Sequence, residues 1–299
     1  MLAFAGVCQK EATALGAGRF AVWPQARGYH DRMISTASWR VLLGHSNRLV
    51  HHWLAEWWRL VHLGAVLLLL ALSPSSYSPD NRRVLARHLY DNTAPILMGF
   101  TVLCALVSLV LTRIVTTTAL SYGLSQYALQ LVIRVLVLEL IPLTAALFVA
   151  LRCTIPDGGE LAELRARGGL NALRQRGVDP IRREVLPRVV AGIFSTITLA
   201  VLSCVVALAV AYLAINGFTL AGAAGYTRLF GQVFNPAVTL IFVMKTLLFS
   251  LVVSLIPMAS ALYGLASSNT RTSAEMRGLV RMFALILLVE VLSLVGNYY

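Results

Sequence analysis

Nowhere does the sequence carry G-x-x-x-x-G-K-[ST], so it lacks the loop of backbone amides and lysine that cradles a triphosphate. It contains no G-x-S-x-G turn and no plausible Ser/His/Asp set on its apolar segments, which removes the common hydrolase machinery. Its four cysteines, Cys8, Cys104, Cys153 and Cys204, stand far apart without CxxC spacing. They support neither a disulfide framework nor a zinc site. His45, His51, His52 and His62 fall in an aromatic-rich segment without a supporting set of carboxylates or thiols at ligand spacing. No metal, cofactor or catalytic residue is therefore expected, and the chain is not read as an enzyme. Charge is also scarce. Charged residues make up 13% of the 299 residues against 58% hydrophobic, and the mean hydropathy is +0.75, which excludes an ordinary soluble domain.

What charge there is has one dominant sign, a net +12. The arginines cluster between long apolar runs instead of forming one aromatic-studded basic surface, so they read as topology signals and not as a nucleic-acid footprint. Five apolar stretches are long enough to cross a bilayer core of about 30 Å: approximately 94–116, 128–151, 187–213, 236–264 and 279–296. The connection 152–188 carries Arg152, Arg165, Arg167, Arg174, Arg176, Arg182, Arg183 and Arg188, and the connection 265–281 carries Arg271, Arg277 and Arg281. The intervening loops carry only Arg228. By the positive-inside rule the arginine-rich connections and the N-terminus are cytoplasmic, and the C-terminus lies on the other side.

Residues 1–50 are mixed in character and are read as a flexible tail. The apolar stretch Leu2–Cys8 is too short for a secretory signal and lacks its basic start. A start at Met33 and a transit peptide are the alternatives. Residues 51–92 form a second unit. Its uninterrupted apolar core, Leu63–Leu72, is too short to span, and His52, Glu56 and Arg59 share one helical face while Trp53, Trp57 and Leu60 share another. That is the pattern of a helix lying in the membrane interface. The segment PSSYSPDNRR closes the unit as a loop. Residues 93–299 are the transmembrane domain. The fold expected is all-α and polytopic, with five transmembrane helices, an N-terminal interfacial helix and a cytoplasmic loop between spans 2 and 3.

That loop contains two short helix-like pieces, Glu160–Arg167 and Leu170–Arg176, hinged at Gly168-Gly169. Asp179-Pro180 ends it with a turn, and Pro187 suits the first turn of the next span. Gly217, Gly222 and Gly225 predict a flexible loop between spans 3 and 4, either a plain turn or a lipid portal. Within the spans, Glu139 and Lys245 both lie roughly 14–17 Å from the non-cytoplasmic surface at about 1.5 Å per residue. Lys10 is the only other lysine in this arginine-rich chain. A lone ammonium at that depth calls for a partner, and Glu139 is the first choice. Arg134 lies more than a turn nearer the surface, where it could meet a lipid phosphate. Glu290, deep in the last span, has no partner that sequence can name.

From about Arg87 to the C-terminus the sequence resembles the MlaE/YrbE family of ABC-transporter permeases. The pieces that carry the resemblance are RHLYDN before the first span, LELIPLTAALFVALR in the second, GVDPIRREVLPRVVAG leaving the loop, and VMKTLLFSL with Tyr263-Gly264 in the fourth. Two departures stand out: Gly168-Gly169 where the family usually carries Glu-Gln, and Leu138 in place of the arginine that usually precedes the acid kept here as Glu139. The resemblance implies a permease subunit moving phospholipid or a similar lipid between the bacterial inner membrane and a periplasmic MCE-domain protein. It implies a second permease copy as a homodimer partner and a cytoplasmic ATPase gripping the loop through Glu160, Glu163, Arg167, Leu170, Leu173 and Asp179. Glu139, Lys245 and Arg134 become candidates for the substrate path. The competing reading is a self-contained ion-coupled carrier working through its intramembrane charges.

Overall fold

The computed structural model describes residues 57–73, 79–123, 125–218, 222–263 and 271–298. The expected tail 1–50, His45, His51, His52, Trp53, Glu56 and Gly264 lie outside the described residues. Among these residues every element is helical, and five helices are long and apolar enough to cross a membrane. In chain order the elements are α1 (Trp57–Leu72), α2 (Pro79–Ser121), α3 (Ser125–Val132), α4 (Ile141–Val149), α5 (Ile155–Ala166), α6 (Gly169–Gln175), α7 (Leu186–Asn216), α8 (Ala223–Val233), α9 (Pro236–Tyr263) and α10 (Arg271–Tyr298). Span 2 is the central one, with 61% of its apolar window buried against 22–39% for the other four. Around it α2 packs along α7, α7 against α9, and α9 against α10.

Three prolines shape the backbone of spans 2 and 3. Proline has no amide to give and its ring crowds the carbonyl four residues earlier, so an α-helix meeting one must kink or change its winding. Here it changes its winding. The π-helical stretches Ile133–Leu140, Ala150–Thr154 and Ile181–Val185 end just before Ile141-Pro142, Ile155-Pro156 and Leu186-Pro187. In each case the residue before the proline bonds five residues back: Ile141 to Leu136, Ile155 to Ala150 and Leu186 to Ile181. Single wide turns such as Ala150–Thr154 and Ile181–Val185 are the usual form of π-helix and often mark functional positions, whereas Ile133–Leu140 runs to nearly two turns.

These turns explain where the element boundaries differ from the sequence reading. Span 2 does not stop near 151, because the wide turn at 150–154 carries the helix past Pro156 and it continues to Ala166. Glu160–Arg167 is therefore the end of span 2 and not a separate piece. The break comes at Gly168, whose φ of 76° is left-handed, and α6 follows it. Helix α6 then closes with the Gly177 amide donating to the Arg174 carbonyl and the Val178 amide to that of Leu173, around a φ of 75° at Gly177. That 5→2 and 6→1 pair is a Schellman cap, which favours glycine at this position. Pro187 is the second residue of α7 and lies in its first turn, with the π-helical stretch Ile181–Val185 leading directly into it. RHLYDN, expected ahead of span 1, is part of α2 itself.

The glycine-rich connection after span 3 is also more ordered than its composition suggests. It holds α8, fixed by the Tyr226 hydroxyl donating to the Leu208 carbonyl at 2.8 Å, by Tyr212 packing edge-on to Tyr226, and by buried Val233. Burial pushes the Tyr226 hydroxyl up to about 12. Gly225 and Gly231 face open space and leave the helix intact.

Two apolar clusters hold the bundle. The larger runs through all five spans, and the second gathers Leu63 and Leu67 of α1 with Leu161, Val185, Val189 and Met258 at the loop end. Helix α1 thus turns Leu63 and Leu67 inward and leaves Trp58, Val61, Leu69 and Leu72 exposed. Spans 2, 3 and 4 come close together at Gly192, the last residue of the PRVVAG piece. A Cβ there would stand 2.6 Å from Ser254 Oγ and 2.9 Å from Thr154 Cγ2. Small residues let membrane helices close up in this way. Gly192→Val should force spans 3 and 4 apart at a cost of about 1–3 kcal/mol, read as a lower midpoint in detergent unfolding. An unchanged midpoint would show that the crossing has slack.

Candidate functional site

A further consequence of Pro142 appears at Leu138, four residues before it, whose carbonyl loses the amide an α-helix would supply. Lys245 Nζ of α9 donates to that carbonyl at 3.3 Å. It also donates to Glu139 Oε2 on the same wide turn. From the last span Glu290 Oε2 approaches Nζ to 2.9 Å, and Asn297 Nδ2 donates to Glu139 Oε1 at 3.3 Å. The ring of Phe249, one turn along α9, lies with its centroid 5.7 Å from the ammonium. A compact ammonium with three donors suits this convergent set better than a planar guanidinium.

The structure thus brings Glu139 and Lys245 together, the pairing that their matched depth suggests, and it names Lys245 as the partner of Glu290. The same depth argument could have found it. Glu290 lies seven residues before the end of span 5 at Asn297, roughly 10 Å at about 1.5 Å per residue and within one helical turn of the level of Lys245. Asn297 carried no such signal. Exposure divides the cluster in a way sequence could not. The Lys245 side chain is 1% exposed, whereas those of Glu139 and Glu290 are 12% and 13% exposed. The ammonium is sealed between helices and the carboxylates form the accessible edge. Arg134 lies half-buried on the same π-helical stretch as Glu139.

At the other end of the bundle the residues named for the loop separate into two kinds. Glu160 is exposed and forms an ion pair with Arg188 at 3.7 Å, while Glu163 and Arg167 pair with each other on the surface. Asp179 Oδ1 accepts the Ile181 amide at 3.0 Å and its other oxygen stands 3.8 Å from Arg182, so it caps the start of span 3. Leu170 and Leu173 are half-buried, and Leu170 packs on the second apolar cluster. The outward face of α6 is instead Asn171, Ala172, Arg174 and Gln175. Sequence reading missed the polar contacts beneath the loop. Asn92 Nδ2 donates to Asp157 Oδ2 at 2.9 Å, Ser195 Oγ donates to the Asn92 carbonyl at 3.0 Å, and Arg188, 8% exposed, also reaches Glu184 at 3.4 Å. Among the described residues no three His, Cys, Asp or Glu side chains gather as metal ligands would.

Five apolar spans enclosing a sealed ion cluster define a multi-pass membrane protein. The family model described as Permease MlaE matches residues 85–295, and the chain belongs to that family of membrane permeases. It is accordingly a transport subunit and not an enzyme. No curated protein matches the chain.

Proposed function

We propose that this chain is the permease subunit of an ABC transporter that moves phospholipid or a similar lipid between the bacterial inner membrane and a periplasmic MCE-domain protein. The observation that supports this most directly is the family match across residues 85–295, which contains both the ion cluster and the loop. In this reading a cytoplasmic ATPase docks on residues 160–179 and supplies the hydrolysis for which the chain has no motif. Two permease copies form the core, and Glu139, Lys245 and Arg134 border the lipid path. Because Lys245 is sealed, the lipid headgroup meets the Glu139 and Glu290 edge first, and the ammonium sets the charge behind it. The N-terminus is cytoplasmic and the C-terminus periplasmic.

Transfer of labelled phospholipid from proteoliposomes should require ATP and the co-assembled ATPase, and should ignore an imposed proton gradient. Transfer driven by the gradient without ATP would favour the ion-coupled carrier, for which the two carboxylates on one ammonium are the relevant feature. A reporter fused after Tyr299 should be active only on the periplasmic side, and one inserted in 160–176 only in the cytoplasm. Both reporters on one side would overturn the topology.

A further inference from the structure

Helix α5 makes specific contacts with three neighbouring spans. Asp157 is bonded to Asn92 of span 1, Glu160 pairs with Arg188 of span 3, and Gly158 lies against span 4. A Cβ added at Gly158 would stand 3.1 Å from the Pro257 carbonyl. At the far end of α5, Arg165 Nη1 donates to the carbonyls of Ala261, at 3.2 Å, and Leu262. Those carbonyls belong to the last turn of α9, where a helix has no amides of its own to offer and the negative end of its dipole is exposed. A guanidinium is well suited to hold two of them at once. Helix α5 is continuous with the span that carries Glu139, and α9 is the helix that carries Lys245. From Lys245 to Ala261 the helix rises roughly 24 Å at about 1.5 Å per residue. Its one interior proline, Pro257, is the turn that Gly158 braces.

We infer that Arg165 is a positioning residue for the ion cluster: it clips the loop ends of spans 2 and 4 together and so sets the register in which Glu139 meets Lys245. The functional consequence rests on the proposed docking of an ATPase on this loop, since a partner that loosened the clip would release the pair. The clip itself belongs to the permease alone. A cap on α9 alone would affect only its last turn, whereas a register clip is felt at the opposite end of both helices.

The experiment uses the full chain in lipid nanodiscs, in a Cys8→Ser background because Cys104, Cys153 and Cys204 are buried. Spin labels at exposed Leu131 and Leu240 report the distance between spans 2 and 4 at the end away from the loop, and labels at exposed Ala166 and Tyr263 report the loop end. Arg165→Ala should broaden both pulsed-EPR distance distributions at least twofold, with Arg165→Lys intermediate at both. Broadening only at Ala166 and Tyr263 makes Arg165 a local cap and overturns the inference, as does no change at either pair. If Arg165→Ala does not fold, Arg165→Gln and Arg165→Lys carry the same comparison. Co-purification of the ATPase is scored separately. If the unmutated chain retains no ATPase while Arg165→Ala still broadens both distributions, the docking reading is removed and the clip stands.

Discussion

Lys245→Met should abolish lipid transfer and destabilise the permease by about 3–5 kcal/mol, the range found when one partner of a buried ion pair is removed. The change leaves Glu139 and Glu290 facing the same space without their shared cation, and leaves the Leu138 carbonyl without its donor. Glu290→Gln should be milder, because the Glu139–Lys245 pair survives it. The informative rescue is a triple replacement. Changing only Glu139 and Lys245 to neutral residues would leave the Glu290 carboxylate unpaired within the span, so assembly should recover only when Glu139→Gln, Lys245→Met and Glu290→Gln are combined. If that triple variant assembles and still fails to transfer lipid, the cluster works on the substrate. If transfer returns with assembly, the cluster serves only to fix the helices.

The second large effect is expected at the loop. Ala172→Asp combined with Arg174→Glu alters the exposed face of α6 and should cut ATPase co-purification at least tenfold, with no change in the unfolding midpoint of the permease. Leu170→Asp with Leu173→Asp should also weaken docking, but by a different route. Leu170 packs on the cluster that includes Leu161, Val185 and Met258, so a carboxylate there disturbs the platform and should lower the midpoint as well. Full ATPase retention in the Ala172/Arg174 variant, with ATP-dependent transfer intact, would show that this face does not carry the docking contact.

Span number, the central pairing of Glu139 with Lys245 and the break at Gly168 were legible because each has a local cause. Hydrocarbon thickness demands about 20 apolar residues per span, a deep ammonium demands a counter-ion, and glycine supplies the left-handed turn. The sequence likewise determined the family, through pieces such as LELIP and VDPIRREVLPRVVAG kept in order. Tertiary structure alone decided the rest. Polar loop composition concealed that α5 continues span 2, because continuity depends on the wide turn that the helix adopts before Pro156. The helical fate of the Gly-rich segment at 223–233 depended on Tyr226 finding a carbonyl on α7. Whether Leu170 faces a partner or its own bundle, whether Lys245 is sealed or open, and which carbonyls Arg165 holds are questions of rotation between helices. Apolar composition leaves that rotation open, because in lipid every apolar face is equally well solvated. Only close packing at residues such as Gly192 and the need to satisfy each buried polar group select one arrangement.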